Sequence, residues 1–161
     1  VAGLIEKGAI QGTGSNSQPL GLERLPGALS QTFSSATPTS DELASMLEKL
    51  GDADVDLSKV VFLMHPSTAA DLMKARVDAS SGVLVLSDLK IHGLPVFISS
   101  NVTEDKVSAM DPSYSKIIFF NSAQVVVDPF RGAVSGVTHV QVLNAMDFAC
   151  THQSSICIGS A

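Results

Sequence analysis

The sequence predicts an α+β fold in which two helices pack around a mixed or antiparallel sheet. Three observations carry this reading. A well-capped helix with an unbroken apolar stripe begins after Thr39; apolar runs at 60–64, 94–99, 116–120 and 124–127 have strand length; and residues 137–142 alternate Val, Thr, His, Val, Gln, Val, the period of a half-buried strand. At 161 residues the chain can hold one domain with a sizeable core without a disulfide or metal staple.

Residues 1–11 place Val1, Leu4, Ile5 and Ala9 near helical spacing and read as the last turns of a longer helix, weakened by Gly3 and Gly8. The chain opens at Val1 rather than at a methionine, which suggests a fragment, a processed form or a truncated chain. Residues 12–21 are a loop, because Gly, Ser, Asn and Pro supply turn conformations and no periodic apolar face. Residues 23–38 are polar and turn-rich, a loop or an exposed edge.

Thr39 and Glu42 have the spacing of a capping box, Leu43, Met46, Leu47 and Leu50 follow at i, i+3, i+4 and i+7, and Gly51 supplies the stop. Residues 60–64 suit a buried strand, and Pro66 opens a second helix to about Val77 that offers Ala69, Leu72 and Met73 to the core. A break follows at 80–82, then a short strand or buried turn at 83–86. Pro95 pushes the strand at 94–99 toward an edge. Residues 101–115 read as a polar loop, 116–120 and 124–127 as strands, 128–132 as a turn and 148–158 as a long final strand. Leu43, Leu47, Val61, Leu63, Leu72 and Phe119 are expected in the core.

Composition narrows the chemistry. Hydrophobic residues make up 45% of the chain and charged residues only 16%, so some apolar surface is expected to be reserved for partners. The net charge of -6 argues against a phosphate-binding surface, and nucleic acid is not expected as a direct ligand. No secretory pattern and no apolar run of about 18 residues is present, so neither secretion nor membrane spanning is indicated, and the chain reads as intracellular.

The loop Gly12-Thr13-Gly14-Ser15-Asn16-Ser17 suggests phosphate capture, but it lacks the Gly-Lys-Ser/Thr ending and has no apolar strand before it. Asp52, Asp54 and Asp56 alternate as calcium ligands do, yet Leu57 and Leu63 stand where the glycine and the bidentate glutamate belong, so they read as a solvated turn. His65, His92, His139 and His152 show no ligand spacing, and His65 reads as a cap or packing residue before Pro66. Cys150 and His152 could touch on one strand face, but a buried apolar cysteine is the commoner outcome. Cys150 and Cys157, seven apart, are not expected to pair. No catalytic, cofactor or metal site is expected.

Several segments, in this order, resemble the major capsid proteins of tailed double-stranded DNA bacteriophages, the Hong-Kong-ninety-seven type. They are Glu6 to Leu22, the run at 60–64 with His65-Pro66-Ser67, Ile91-His92-Gly93-Leu94-Pro95-Val96, and the closing run from Asp147 to Ile158. That family usually has Asn-Pro where His65-Pro66 stands.

The resemblance implies a two-part subunit, with residues 1–20 as the end of a spine helix and a glycine-rich loop, 21–145 as an axial domain, and 146–161 as a returning strand of the peripheral domain. It implies a structural subunit of a phage or prophage capsid, forming pentamers and hexamers around packaged DNA and assembled in the bacterial cytoplasm. The partners would be other copies of itself, with no sequence-specific nucleic acid, membrane or small molecule. Gly12, Thr13, Gly14, Ser15 and Asn16 become candidates for subunit contact, in an exposed and mobile loop. Thr13 stands where some relatives carry an acidic residue that pairs with a neighbour, and it cannot form that ion pair. A bulky residue at Gly14 is expected to hinder assembly at little cost in stability. Encapsulin nanocompartments share the fold and give an alternative; a small ligand-binding or enzymatic domain using the loop is a third.

Stable assemblies bury about 2,000 Å² or more of interface, and the family's arm and extended loop would lie before Val1. The 161-residue chain alone is therefore expected to fold without closing into shells. Size-exclusion chromatography with light scattering checks this, and particles of megadalton mass would refute it.

Overall fold

The computed structural model describes residues 2–78, 82–121, 124–128, 130–131 and 135–161. Helix α1 (Ala2–Gln11) runs into the glycine-rich loop and a 3-10 turn (Leu22–Arg24), then to strand β1 (Leu29–Thr32). Helix α2 (Ser40–Asp52), strand β2 (Val61–Met64), helix α3 (Pro66–Leu72) and strands β3 (Lys90–Ile91), β4 (Leu94–Ile98) and β5 (Lys106–Met110) follow. The rest is β6 (Ser115–Phe119), β7 (Gln124–Asp128), β8 (His139–Leu143), β9 (Met146–Cys150) and β10 (Ile156–Ser160).

α2 forms where its capping chemistry is complete. The Thr39 hydroxyl accepts from the Glu42 N–H at 3.3 Å, and the Glu42 carboxylate accepts from the Thr39 N–H at 2.8 Å. The same carboxylate accepts from the Ser34 N–H at 2.7 Å, tying the β1–α2 connection to the helix start. The Thr39 N–H above all, against an opposing effect of burial and with help from the Ser34 N–H, holds the Glu42 carboxyl down to about 2.

The strands form a six-stranded mixed sheet in the order β1-β10-β5-β2-β4-β3 and a separate pair of two-stranded ladders, β6-β9 and β7-β8. β1 runs parallel to β10 and β2 parallel to β4, while β5 is antiparallel to both β10 and β2. Cys157, Ala109, Phe62 and Val96 are register partners in a row across four strands. Directly opposed residues share a face, and this row meets Leu43, Met46 and Leu50 of α2, with Phe33 and Leu72, in the main core. Burial also pushes the Cys157 thiol up to about 11, so it stays protonated at neutral pH. The other face carries Ile156, Met110 and Ile158, and it is covered in part by Leu22, Leu25 and Ala28.

β5 and β10 are neighbours although 45 residues separate Met110 from Ile156, and the chain between them goes out and comes back as one long hairpin. Its two legs are joined at the base by hydrogen bonds from Asp111 N–H to the Ser155 carbonyl at 3.2 Å and from Thr151 N–H to the Tyr114 carbonyl at 2.9 Å. The Tyr114 and His152 rings meet there, 5.3 Å between centroids. β6 to β9 form the ribbon beyond that base.

Several expectations need correction. The predicted polar loop at 101–115 contains β5, a central strand whose Val107, Ser108 and Ala109 are all buried; polar Ser108 and flanking Asp105 and Lys106 hid it. The predicted long strand at 148–158 is two strands in different sheets, broken by the 3-10 turn Gln153–Ser155. The second helix stops at Leu72, and Met73 is exposed. Leu43 and Leu72 are core residues, but Leu47, Val61 and Leu63 are only half-buried, because Met46, Phe62 and Met64 take the face toward the main core. Phe119 is 52% exposed on the ribbon. Residues 83–86 form a turn with Val85 and Leu86 buried. The predicted break at 80–82 and turn at 128–132 fall partly outside the described residues.

Met46→Ala should cost about 2 to 5 kcal/mol and Leu47→Ala less than half as much, measured by denaturant titration. Glu42 contributes above its unfolded pKa of 4.5, and that contribution is lost as pH falls toward the folded value of about 2. Glu42→Ala should therefore cost about 1 kcal/mol at pH 7, and the two proteins should converge in stability near pH 2.

Candidate assembly interface

Three surfaces meet where α1 ends: the glycine-rich loop, a groove along α1, and one face of the ribbon. The loop is a closed turn. Gly12 N–H bonds back to the Gly8 carbonyl at 3.1 Å, Gly14 N–H to the Pro19 carbonyl at 3.0 Å, and Gly21 N–H to the Gly12 carbonyl at 3.0 Å. At the tip the Thr13 hydroxyl lies 2.9 Å from the Ser15 hydroxyl and donates to Gln18 Oε1 at 3.1 Å.

The candidate contact residues divide accordingly. Thr13, Gly14, Ser15 and Asn16 are exposed. Gly12 is buried, and a Cβ there would lie 2.2 Å from the Pro19 carbonyl oxygen, so its place is structural: it lets the two legs of the turn touch. Gly14 sits at φ +70 with Leu20 close to its face. A bulky residue at Gly14 would strain the turn itself, which corrects the expectation that such a change leaves stability nearly untouched.

Beside the loop, a groove of about 560 Å³ runs between α1 and the ribbon, lined by Leu4, Ile5, Gly8, Pro19, Val142 and Met146 among others. The ribbon face that walls it is apolar on both sides of the joint between its two ladders, with Asn144 between Val142 and Met146 in the lining. Phe119 pairs with Met146, Ile117 with Phe148, Val125 with Val142 and Val127 with Val140, and Val142 and Met146 both line the groove. The base of this face, at Met146 and Phe148, packs on Ala9 and Leu22. Farther out it is open: Val125 is 64% and Val140 61% exposed. Beyond the strands Phe130 is 86% exposed, in a turn where Asp128 Oδ1 accepts from the Phe130 and Arg131 N–H groups.

Four residues, 120–123, lie between Phe119 and Gln124, against two, 144–145, between Leu143 and Met146. Phe120 N–H donates to the Ala145 carbonyl at 3.0 Å, and the Asn121 side-chain oxygen accepts from Ala145 N–H at 3.0 Å, so an amide side chain replaces a missing ladder bond.

The residues weighed for other chemistry are used locally. Cys150 Sγ donates to the His152 backbone carbonyl at 3.2 Å, while the His152 ring nitrogen Nε2 turns to the Ala53 carbonyl at 3.4 Å. Asp56 accepts from Ser58 N–H at 3.1 Å and pairs with Lys59 at 3.1 Å. His65 caps α3.

A sequence profile described as the phage capsid family matches residues 1–161. The chain belongs to the phage capsid family. Its fold is that of capsid proteins in solved particles. Against the capsid of an empty GTA particle, this capsid-family chain has a TM-score of 0.77 at 17% identity, covering 99% of itself and 61% of that chain. Against the capsid of Myoviridae phage XM1 the TM-score is 0.72 at 10% identity, covering 98% and 60%. An encapsulin complex from Synechococcus elongatus matches with a TM-score of 0.59 at 17% identity, covering 87% of this chain and 55% of that one. The chain thus spans about three fifths of the length of the capsid proteins it matches first. No curated protein matches it in sequence.

Sequence reasoning found the loop but missed the ribbon face. The signal was present as the valines at 125, 127, 140 and 142, which read only as strands, the second of them half-buried. Gly12→Ala should destabilise the fold by about 1 to 3 kcal/mol through the clash with Pro19, whereas Ser15→Ala should stay within about 0.5 kcal/mol of the parent on denaturant titration.

Proposed function

We propose that this chain is the larger part of the shell subunit of a phage or prophage capsid, associating with copies of itself in pentamers and hexamers around packaged DNA. The observation that carries the reading is the apolar ribbon face. A two-stranded ribbon exposing valines on one side has a surface suited to a partner, and family membership makes another subunit the fitting one. The exposed tip of the loop, Thr13 to Asn16, offers hydroxyl, amide and backbone hydrogen bonds next to the groove and is proposed as part of the same contact.

The two-part division is proposed in altered form. α1, the loop and the ribbon make the peripheral part, supported by the packing of Met146 and Phe148 on Ala9 and Leu22. The six-stranded sheet with α2 and α3, β10 included, makes the axial part. In this reading the chain is structural rather than catalytic, and it encloses DNA without reading it, consistent with a net charge of -6. It would assemble in the bacterial cytoplasm and end in the virion.

The encapsulin match supports a second reading, a protein-filled nanocompartment. Electron microscopy of the full-length subunit, expressed in a bacterium, tests the first. Shells are expected from the parent, and Val125→Glu or Val140→Glu should leave a folded subunit that sediments as small oligomers. Undiminished shells from both variants would remove the ribbon from the contact. Particles isolated from the native source should be rich in nucleic acid by absorbance if they are virions, and rich in a protein cargo if they are nanocompartments.

A further inference from the structure

We infer that the turn between β4 and β5 is a polar latch that fixes the angle of α1 against the six-stranded sheet, with Glu23 as the residue that positions its catch. The latch is a property of this chain alone and is independent of the assembly reading.

Two side chains of α1 reach across to this turn over separations of 92 and 93 positions in the sequence. Gln11 Nε2 donates to the Thr103 hydroxyl oxygen at 3.2 Å, and Glu6 accepts from the Ser99 hydroxyl. Glu23, in the 3-10 turn after the glycine-rich loop, meets Thr103 as well. Its Oε1 accepts from the Thr103 N–H at 2.8 Å and its Oε2 from the Thr103 hydroxyl at 2.6 Å, while Lys106 Nζ donates to Oε2 at 3.2 Å. A hydroxyl has one proton to give. Because Glu23 takes it, the Thr103 oxygen faces Gln11 as an acceptor, and the direction of the catch is set by a side chain only 4% exposed.

The turn holds its own shape. Val102 N–H donates to the Ser99 carbonyl at 3.3 Å, Lys106 N–H to the Thr103 carbonyl at 3.3 Å, and Asn101 N–H to the Ser99 hydroxyl at 3.1 Å. Asp105 adopts the left-handed conformation at φ +61, which a short polar side chain tolerates. Ile10 and Val102, the chain neighbours of Gln11 and Thr103, are both buried, as a defined closed position requires.

α1 is held differently on its two sides. Toward the ribbon the contact is apolar, with Ala9 and Phe148 in one cluster. Toward the turn it is made by hydrogen bonds at the rim of an open cleft of about 430 Å³, lined by Gln11, Glu23, Arg24, Thr103 and Lys106. Glu6 and Thr103 are exposed, so water can replace either partner when these bonds open, and each then costs little to break. Apolar contact has no such substitute. α1 should therefore stay with the ribbon and part from the turn, swinging about the base where Asp111 bonds to Ser155.

Electron paramagnetic resonance distances across the latch test the inference. Nitroxides on Gly3→Cys, where an added side chain meets open space, and on Glu48→Cys, exposed on α2, report the angle; Cys150→Ser removes the half-buried thiol, and Cys157 is fully buried. The parent should give one narrow distance. Thr103→Val, which deletes the hydroxyl and with it the bonds to Gln11 and Glu23 Oε2, should raise the population at other distances about fivefold or more. Thr103→Ser should restore the narrow distance. Glu23→Gln, with one acceptor oxygen in place of two, should broaden it although Gln11 is untouched. An unshifted, narrow distance in Thr103→Val or in Glu23→Gln would overturn the proposal, and so would equal broadening in Thr103→Ser. Loss of the parent's far-ultraviolet circular dichroism in Thr103→Val would also overturn it, since a latch opens without unfolding what it joins.

Discussion

The contact between the Leu43, Met46 and Leu50 stripe of α2 and the row Cys157, Ala109, Phe62 and Val96 fixes the position of nearly every other element. Each side chain in that row comes from a different strand, so the helix can dock only when four strands are in register. One of them, β10, is the last in the chain. The sheet is therefore closed by pairings of large sequence separation, such as Leu29 with Cys157, which makes loop closure a main cost of folding this unit.

That constraint also explains the ribbon. Because β5 and β10 are already paired, whatever lies between them must leave the sheet and return at the same place, and an antiparallel ribbon does this while satisfying its backbone groups along the way. Its footing is tied by several contacts. Asp111, nearly fully buried, accepts from Ser113 N–H at 2.9 Å, and the Tyr114 ring meets that of His152 at a tilt of 55°. Farther out the valines of both ribbon strands are exposed. A surface that is apolar but unsupported by its own chain is stable in solution only at some risk of association.

How much could be read beforehand followed from where the signal was local. α2 was legible because its cap and stripe lie within about four turns of helix, although the helix runs through Gly51 to Asp52 and the left-handed residue beyond its end is Asp54. The strand at 60–64 was legible as a strand, but Val61 and Leu63 could not be told from Phe62 and Met64, since an apolar run does not reveal which face the helix will cover. β5 was hidden because Ser108, fully buried, looks like a loop residue. Phe119 and the ribbon valines have the composition of a core, and nothing local distinguishes a side chain buried by its own fold from one left for another molecule. The loop was readable as a turn, while the need for glycine at position 12 depended on Pro19 folding back against it.

The offset in the ribbon limits how its length can vary. Four residues face two at the Asn121 joint, an excess of two, and side chains on a strand alternate sides with each step. On the returning leg Val142 and Met146, four steps apart, both line the groove beside α1. A single inserted or deleted residue would turn the outer half over, presenting Gln124, Val126 and Asp128 where the valines had been. Indels in this arm should therefore be tolerated in pairs, a parity rule that acts on the gene rather than on any one contact.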